Sequence, residues 1–186
     1  MQTLISFLRG VNMTGHNSIK MADLSKLYCQ IGFCENKTYI QSGNVIFKAS
    51  IEANRNEIAS RITQGILQNF GYNIPIMIRD LDDLKHVKAS NPYLGLKDFD
   101  PLKMAVIFLL HPPTEVAKEK MKNISYPPDQ YYISDNEILT YCPNGFGKTK
   151  LYTNFFENKM GVIGTARNWK TVTTILDMAE NFMPQT

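Results

Sequence analysis

The order of hydrophobic patterns over residues 3–79 admits few topologies. A compact apolar run at residues 3–9 suits a buried strand, and residues 10–18 form a polar connection. Met21, Leu24, Leu27, Tyr28 and Ile31 then fall on one helical stripe, with Gly32 as its stop. Residues 37–41 and 44–48 read as two strands joined by a tight turn at Ser42 and Gly43. A second helix carries Ile58, Ile62, Ile66, Leu67 and Phe70 on its expected buried side and ends at Gly71. Residues 74–79 resume a strand, with Pro75 where a missing ladder donor is tolerated. The order βαββαβ is the ferredoxin-like split arrangement, in which two helices cover one face of an antiparallel sheet.

Asp80 suits the N-cap of a short helix with Leu81, Leu84 and Val87 facing inward, and Asn91-Pro92 should end it. Residues 91–101 hold two prolines and a glycine, the best boundary in the chain. The expected organisation is therefore a ferredoxin-like α+β domain at residues 1–95 and a smaller related α+β domain at residues 96–186. In the latter, residues 103–110 form a strand and Thr114 caps a charged helix. Residues 130–134 and 137–142 form a hairpin about Asp135 and Asn136, both expected in the left-handed conformation. Tyr39-Ile40-Gln41-Ser42 resembles Tyr132-Ile133-Ser134-Asp135, which suggests a degenerate duplication. Its end departs from the first half, with two helices in place of a helix and a strand. One carries Leu151, Tyr152, Phe155 and Phe156. The other starts at Asn168 and carries Trp169 as a core anchor, then Val172, Leu176, Ala179 and Met183.

Function is harder to read. With 44 % hydrophobic residues in 186, the chain can bury a core, and no run nears the roughly eighteen apolar residues that cross a bilayer. The N-terminus lacks a secretory leader pattern, so a cytoplasmic location and no membrane partner are expected. A net charge of +3 falls short of a dedicated nucleic-acid binder's footprint. Cys29, Cys34 and Cys142 are odd in number and form no CxxC pair, so reduced thiols are expected. His16, His86 and His111 are scattered, so neither a metal nor another cofactor is expected. No nucleophile motif is present, and the acids Asp82, Asp83, Asp98 and Asp100 sit where solvated charge is ordinary. No catalytic residue is assigned, and the sequence does not decide whether the protein is an enzyme.

One local anomaly remains. Three expected helices begin among cations, at Asn17-Ser18-Ile19-Lys20, Gly147-Lys148-Thr149-Lys150 and Arg167-Asn168-Trp169-Lys170. A cation there opposes the helix dipole by about 0.3 to 1 kcal/mol. Repeated three times, the cost suggests a compensating phosphate or carboxylate. Arg9 ends a strand near the first of these starts, and Asn12, Gln41, Ser42 and Asn44 add polar groups in the adjoining loop and first hairpin. The plainer reading is that Asn12, Asn17, Ser18 and Asn168 satisfy turns and caps, and that Thr149 closes a glycine turn. Gly145-Phe146-Gly147-Lys148-Thr149 is not a nucleotide loop, because Cys142 stands where the first glycine is required.

Leu8-Arg9-Gly10-Val11-Asn12, Asn17-Ser18-Ile19-Lys20-Met21, Thr38-Tyr39-Ile40-Gln41-Ser42-Gly43-Asn44-Val45 and Thr165-Ala166-Arg167-Asn168-Trp169-Lys170-Thr171-Val172 resemble the motifs of the bacterial domain-of-unknown-function 1697 family. Met13, Thr14 and Ala166 depart from its usual residues. The resemblance implies a two-part α+β fold and supplies no activity. The leading expectation is a protein that binds a small anionic or phosphorylated ligand. The alternatives are RNA or single-stranded DNA binding on an exposed sheet, against which the strand Asn44-Val45-Ile46-Phe47-Lys48 lacks paired aromatics, and a protein-interaction module.

Overall fold

The computed structural model describes residues 1–13 and 15–182; Thr14 and Met183 lie outside the described residues. The chain is mixed α+β with two four-stranded antiparallel sheets. It divides into two compact units, Met1–Lys85 with Ile175–Thr186, and His86–Thr174.

In the first unit the apolar run becomes β1 (Gln2–Leu8) and the stripe becomes α1 (Met21–Gln30). The hairpin is β2 (Asn36–Tyr39) and β3 (Asn44–Ala49), followed by α2 (Arg55–Phe70), β4 (Ile76–Asp80) and α3 (Leu81–Ala89). Strand order is β2-β3-β1-β4, the ferredoxin-like order, with β1 antiparallel to both β3 and β4. Leu24, Leu27 and Tyr28 of α1 meet Ile58, Ile62 and Ile66 of α2 in one core over the sheet. Gly65 makes that approach possible, since a Cβ there would lie 3.1 Å from Leu27 Cδ1. Leu67 departs from expectation: it is 48 % exposed, because the inward positions Ile58, Ile62 and Ile66 recur every four residues and Leu67 lies a helical step beyond them.

The end of α1 overturns the expectation of reduced thiols. Gly32 turns the chain at φ +92°, with Gly32 N–H donating to Cys29 O and Phe33 N–H to Tyr28 O. This is a Schellman ending, with Phe33 packed back toward Tyr28. It folds the next residue over the last helical turn, and Cys34 is disulfide-bonded to Cys29. Cys142 is free and buried.

The second unit repeats the first. Its elements are β5 (Met104–Leu109), α4 (Glu115–Lys122), β6 (Gln130–Ile133), β7 (Glu137–Tyr141), α5 (Thr153–Met160), β8 (Gly164–Asn168) and the first half of α6 (Trp169–Glu180), whose residues from Ile175 belong to the first unit. The sheet order β6-β7-β5-β8 matches the first element for element. The expected departure at the end of the second half is therefore absent. A strand, β8, precedes the last helix and pairs with β5 as β4 pairs with β1. Gly164 lets β8 lie close to its neighbour, because a Cβ there would be 2.8 Å from Ile107 Cγ2. Asp135 and Asn136 do not take the left-handed conformation; among described non-glycine residues Asn12, Asn17 and Ile40 do. Trp169 is buried, as its place on the stripe requires. No helix among the described residues is long and apolar enough to cross a membrane.

Candidate functional site

The sequence-derived residues fall into three places. In the first unit the loop after β1 lies against the first hairpin. Asn12, in the left-handed conformation, donates through Nδ2 to Ile19 O at 2.9 Å and Gln41 O at 2.8 Å, while its Oδ1 accepts from Ile19 N–H at 2.8 Å. Asn17 Nδ2 donates to Gly10 O, and Asn44 Nδ2 donates to Tyr39 O and Ser42 Oγ. Asn12 thus ties loop to hairpin, while Asn17 braces the loop and Asn44 the hairpin. Arg9 sits at the same junction, its N–H bonded to Pro75 O. Lys20 is the exposed N-cap of α1 and makes no side-chain cap, and Asp23 supplies negative charge in the first turn. The Gln41 side chain is exposed, whereas Phe47 of β3 is fully buried against Tyr28 and Phe33.

At the junction of β8 and α6 in the second unit, Asn168 caps the helix by accepting from Thr171 N–H at 2.7 Å. Arg167 immediately precedes this cap, on the strand side of the junction. It belongs to β8, is 7 % exposed, and donates to Thr165 Oγ1 and Ala166 O, both at 2.8 Å. Burial pushes its guanidinium down to about 10, so it stays charged at neutral pH. Lys170 is exposed. The sequence reading missed the counterpart of Arg167. Arg79 holds the same register on β4, opposite Ile5 as Arg167 is opposite Val106, is buried, and donates to Ile78 O. Aligning Ile78-Arg79-Asp80-Leu81 with Ala166-Arg167-Asn168-Trp169 reveals it.

Lys148 and Lys150 form the third place, and they are displaced from a helix start. Phe146–Lys148 is a short 3-10 turn, and α5 begins only at Thr153 with Tyr152 as its N-cap. The helix-dipole argument does not apply to them. Thr149 is buried and holds the turn by accepting from Leu151 N–H. The two lysines instead line a recess of about 240 Å³ with Tyr126, Asp129 and Asn144, walled by Pro127 and Pro128. The Lys150 ammonium stands 5.2 Å from the centre of the Tyr126 ring. Neither lysine is within ion-pair distance of a carboxylate among the described residues. Arg167, Asn168 and Lys170 do not line this recess. Tyr126 and Asn144 were not legible as partners, because they precede the lysines by very different distances in sequence. No group of three or more metal-ligating side chains occurs among the described residues.

These features define a duplicated ferredoxin-like α+β protein with a basic recess in its second repeat. The chain belongs to the family described as protein of unknown function, DUF1697, whose model matches residues 1–139. It is similar in fold to the conserved bacterial protein SP0830 from Streptococcus pneumoniae, with a TM-score of 0.73 at 18 % identity, covering 96 % of this chain and 98 % of that one. No curated protein matches the chain significantly.

Proposed function

We propose that this protein binds a small anionic ligand, carrying phosphate or carboxylate, in the recess of Lys148 and Lys150. The observation that supports this reading is the pairing of two ammonium groups, neither neutralised by a described carboxylate, in one recess with an amide and a phenol. Two cations at one end of an anion, with the Asn144 amide and the Tyr126 hydroxyl as neutral donors, suit a tetrahedral or planar oxyanion. Asp129 also lines the recess, and its negative charge opposes an anion that comes near it. Both lysines are exposed, so binding weakens as salt screens the charge.

The test is thermal unfolding with inorganic phosphate and pyrophosphate. A ligand that binds the native state alone raises the melting temperature, and at a hundredfold excess over its dissociation constant it adds about 2.7 kcal/mol. Lys148→Ala with Lys150→Ala should remove the rise while changing ligand-free stability by less than about 0.5 kcal/mol, as exposed substitutions do. Absence of a rise, or a rise that survives the double substitution, refutes the reading.

A further inference from the structure

A second and larger concavity of the second unit is also lined by the Pro127-Pro128-Asp129 turn. It is a groove of about 740 Å³ between α4 and the edge strand β6. Its floor includes Met121, Ile124 and Ile133, apolar residues at the margin of the core formed by α4 and α5. At the equivalent place in the first repeat Ser25 of α1 and Asn36 of β2 are tied together by hydrogen bonds of 2.7 and 3.1 Å with Phe33 buried beside them, whereas in the second repeat the Tyr131 hydroxyl of β6 donates to Ile124 O at 2.7 Å, past the end of α4.

The backbone of β6 states what fits. Ser134 N–H bonds to Glu137 O, so the pairs Tyr132 with Leu139 and Gln130 with Tyr141 turn their backbone groups toward β7. Tyr131 and Ile133 therefore point their N–H and C=O outward along the sheet edge, and nothing described bonds to them. Two donors and two acceptors at alternate residues beside an apolar groove are the complement of one more strand. The charges specify its end. On the groove wall Lys118 is paired with Glu115 and Lys122 with Glu119, so these four side chains balance, and the remaining cation of α4, Lys120, does not line the groove. Beside the turn that precedes Gln130 stand Lys148 and Lys150, which outnumber the one carboxylate of their recess, Asp129. A strand added antiparallel to β6, as every other pairing in the sheet is, runs toward Gln130 and delivers its C-terminal end to the recess.

We infer that the second unit captures an extended peptide with an acidic C-terminal end. Its backbone pairs with Tyr131 and Ile133, alternate apolar side chains enter the groove below α4, and its terminal carboxylates occupy the Lys148 and Lys150 recess. This rests on the anion reading above and assigns that site its ligand class.

The experiment uses the whole chain and fluorescence anisotropy with an N-terminally labelled octapeptide of alternating valine and threonine ending in two aspartates. Three companion peptides are needed: one ending in two asparagines with an amidated terminus, and two N-methylated at one or other alternate set of residues. The acidic peptide should bind, lose at least tenfold in affinity on amidation or with Lys148→Ala and Lys150→Ala, and lose binding when one alternate set is N-methylated but not the other. Ile133→Pro, which removes an outward N–H without touching the ladder to β7, should also weaken it. If pyrophosphate raises the melting temperature through the two lysines but the acidic peptide does not bind, the strand inference falls and the anion reading stands. Peptide binding that is indifferent to N-methylation also overturns the inference. Binding that survives amidation and the lysine substitutions overturns the acidic end, while the anion reading stands or falls on the thermal-shift result. A dimer that Ile133→Pro dissolves and that excludes the peptide assigns the edge to a second copy instead.

Discussion

Asn12 ties the first-unit loop to the first hairpin. It holds three hydrogen bonds with a backbone at φ 55°, where few residues other than glycine, asparagine and aspartate are comfortable. At about 1 kcal/mol for each bond, Asn12→Ala should cost about 2 to 3 kcal/mol, read as a fall in urea midpoint at unchanged slope. Gly43 separates steric from conformational cost. It has φ +70°, and a Cβ would lie 2.4 Å from Val11 Cγ2, whereas Gly71 at φ +78° meets nothing within 4 Å. Gly71→Ala should therefore cost about 1 kcal/mol of backbone strain, and Gly43→Ala clearly more. Equal losses at the two glycines refute the packing account. At this scale the sequence was readable for local roles, since amides at turns and caps obey short-range chemistry. It was unreadable for the company of Lys148 and Lys150, which depends on how the chain from Tyr126 to Asn144 returns.

The elements were legible where hydrophobic period and punctuation agreed, as in α1, α2 and both hairpins. β8 was not, because Gly164-Thr165-Ala166-Arg167-Asn168 has weak strand propensity and no apolar alternation. Its conformation comes from pairing with β5, a tertiary partner that local pattern does not reveal. The start of α3 offers a test of how helix ends are stabilised. Asp80 Oδ1 accepts from Asp83 N–H at 2.8 Å and Asp83 Oδ2 accepts from Asp80 N–H at 2.9 Å, a reciprocal cap. Arg55 of α2 also reaches both carboxylates, with its side chain 42 % exposed. Asp83→Ala should cost about 1 to 2 kcal/mol, and Arg55→Ala less than about 1 kcal/mol, since solvent screens the ion pairs but not the caps. Chemical denaturation of the two variants distinguishes them; the reverse order makes Arg55 the principal tie.

As a whole molecule, the protein is one topology used twice with different surfaces. The duplication was suggested by two similar hairpins, and the matched positions of Arg79 and Arg167, and of the caps Asp80 and Asn168, extend it to the end of both repeats. The first unit is nevertheless assembled from two sequence-distant pieces, since Ile175–Thr186 belongs with Met1–Lys85. Lys85 Nζ lies 3.7 Å from Glu180, and Lys48 Nζ lies 5.6 Å from the centre of the Phe182 ring. A chain ending at Thr174 should lose amide-exchange protection across residues 1–85 more than across residues 86–174; equal loss refutes this dependence. On the ribosome the piecewise build sets an order of events. At roughly 5 to 20 residues per second, the portion of chain separating Lys85 from Ile175 takes on the order of 5 to 20 seconds to synthesise. The first half to emerge waits through that interval for Ile175–Thr186, so the segment made first is the one finished last.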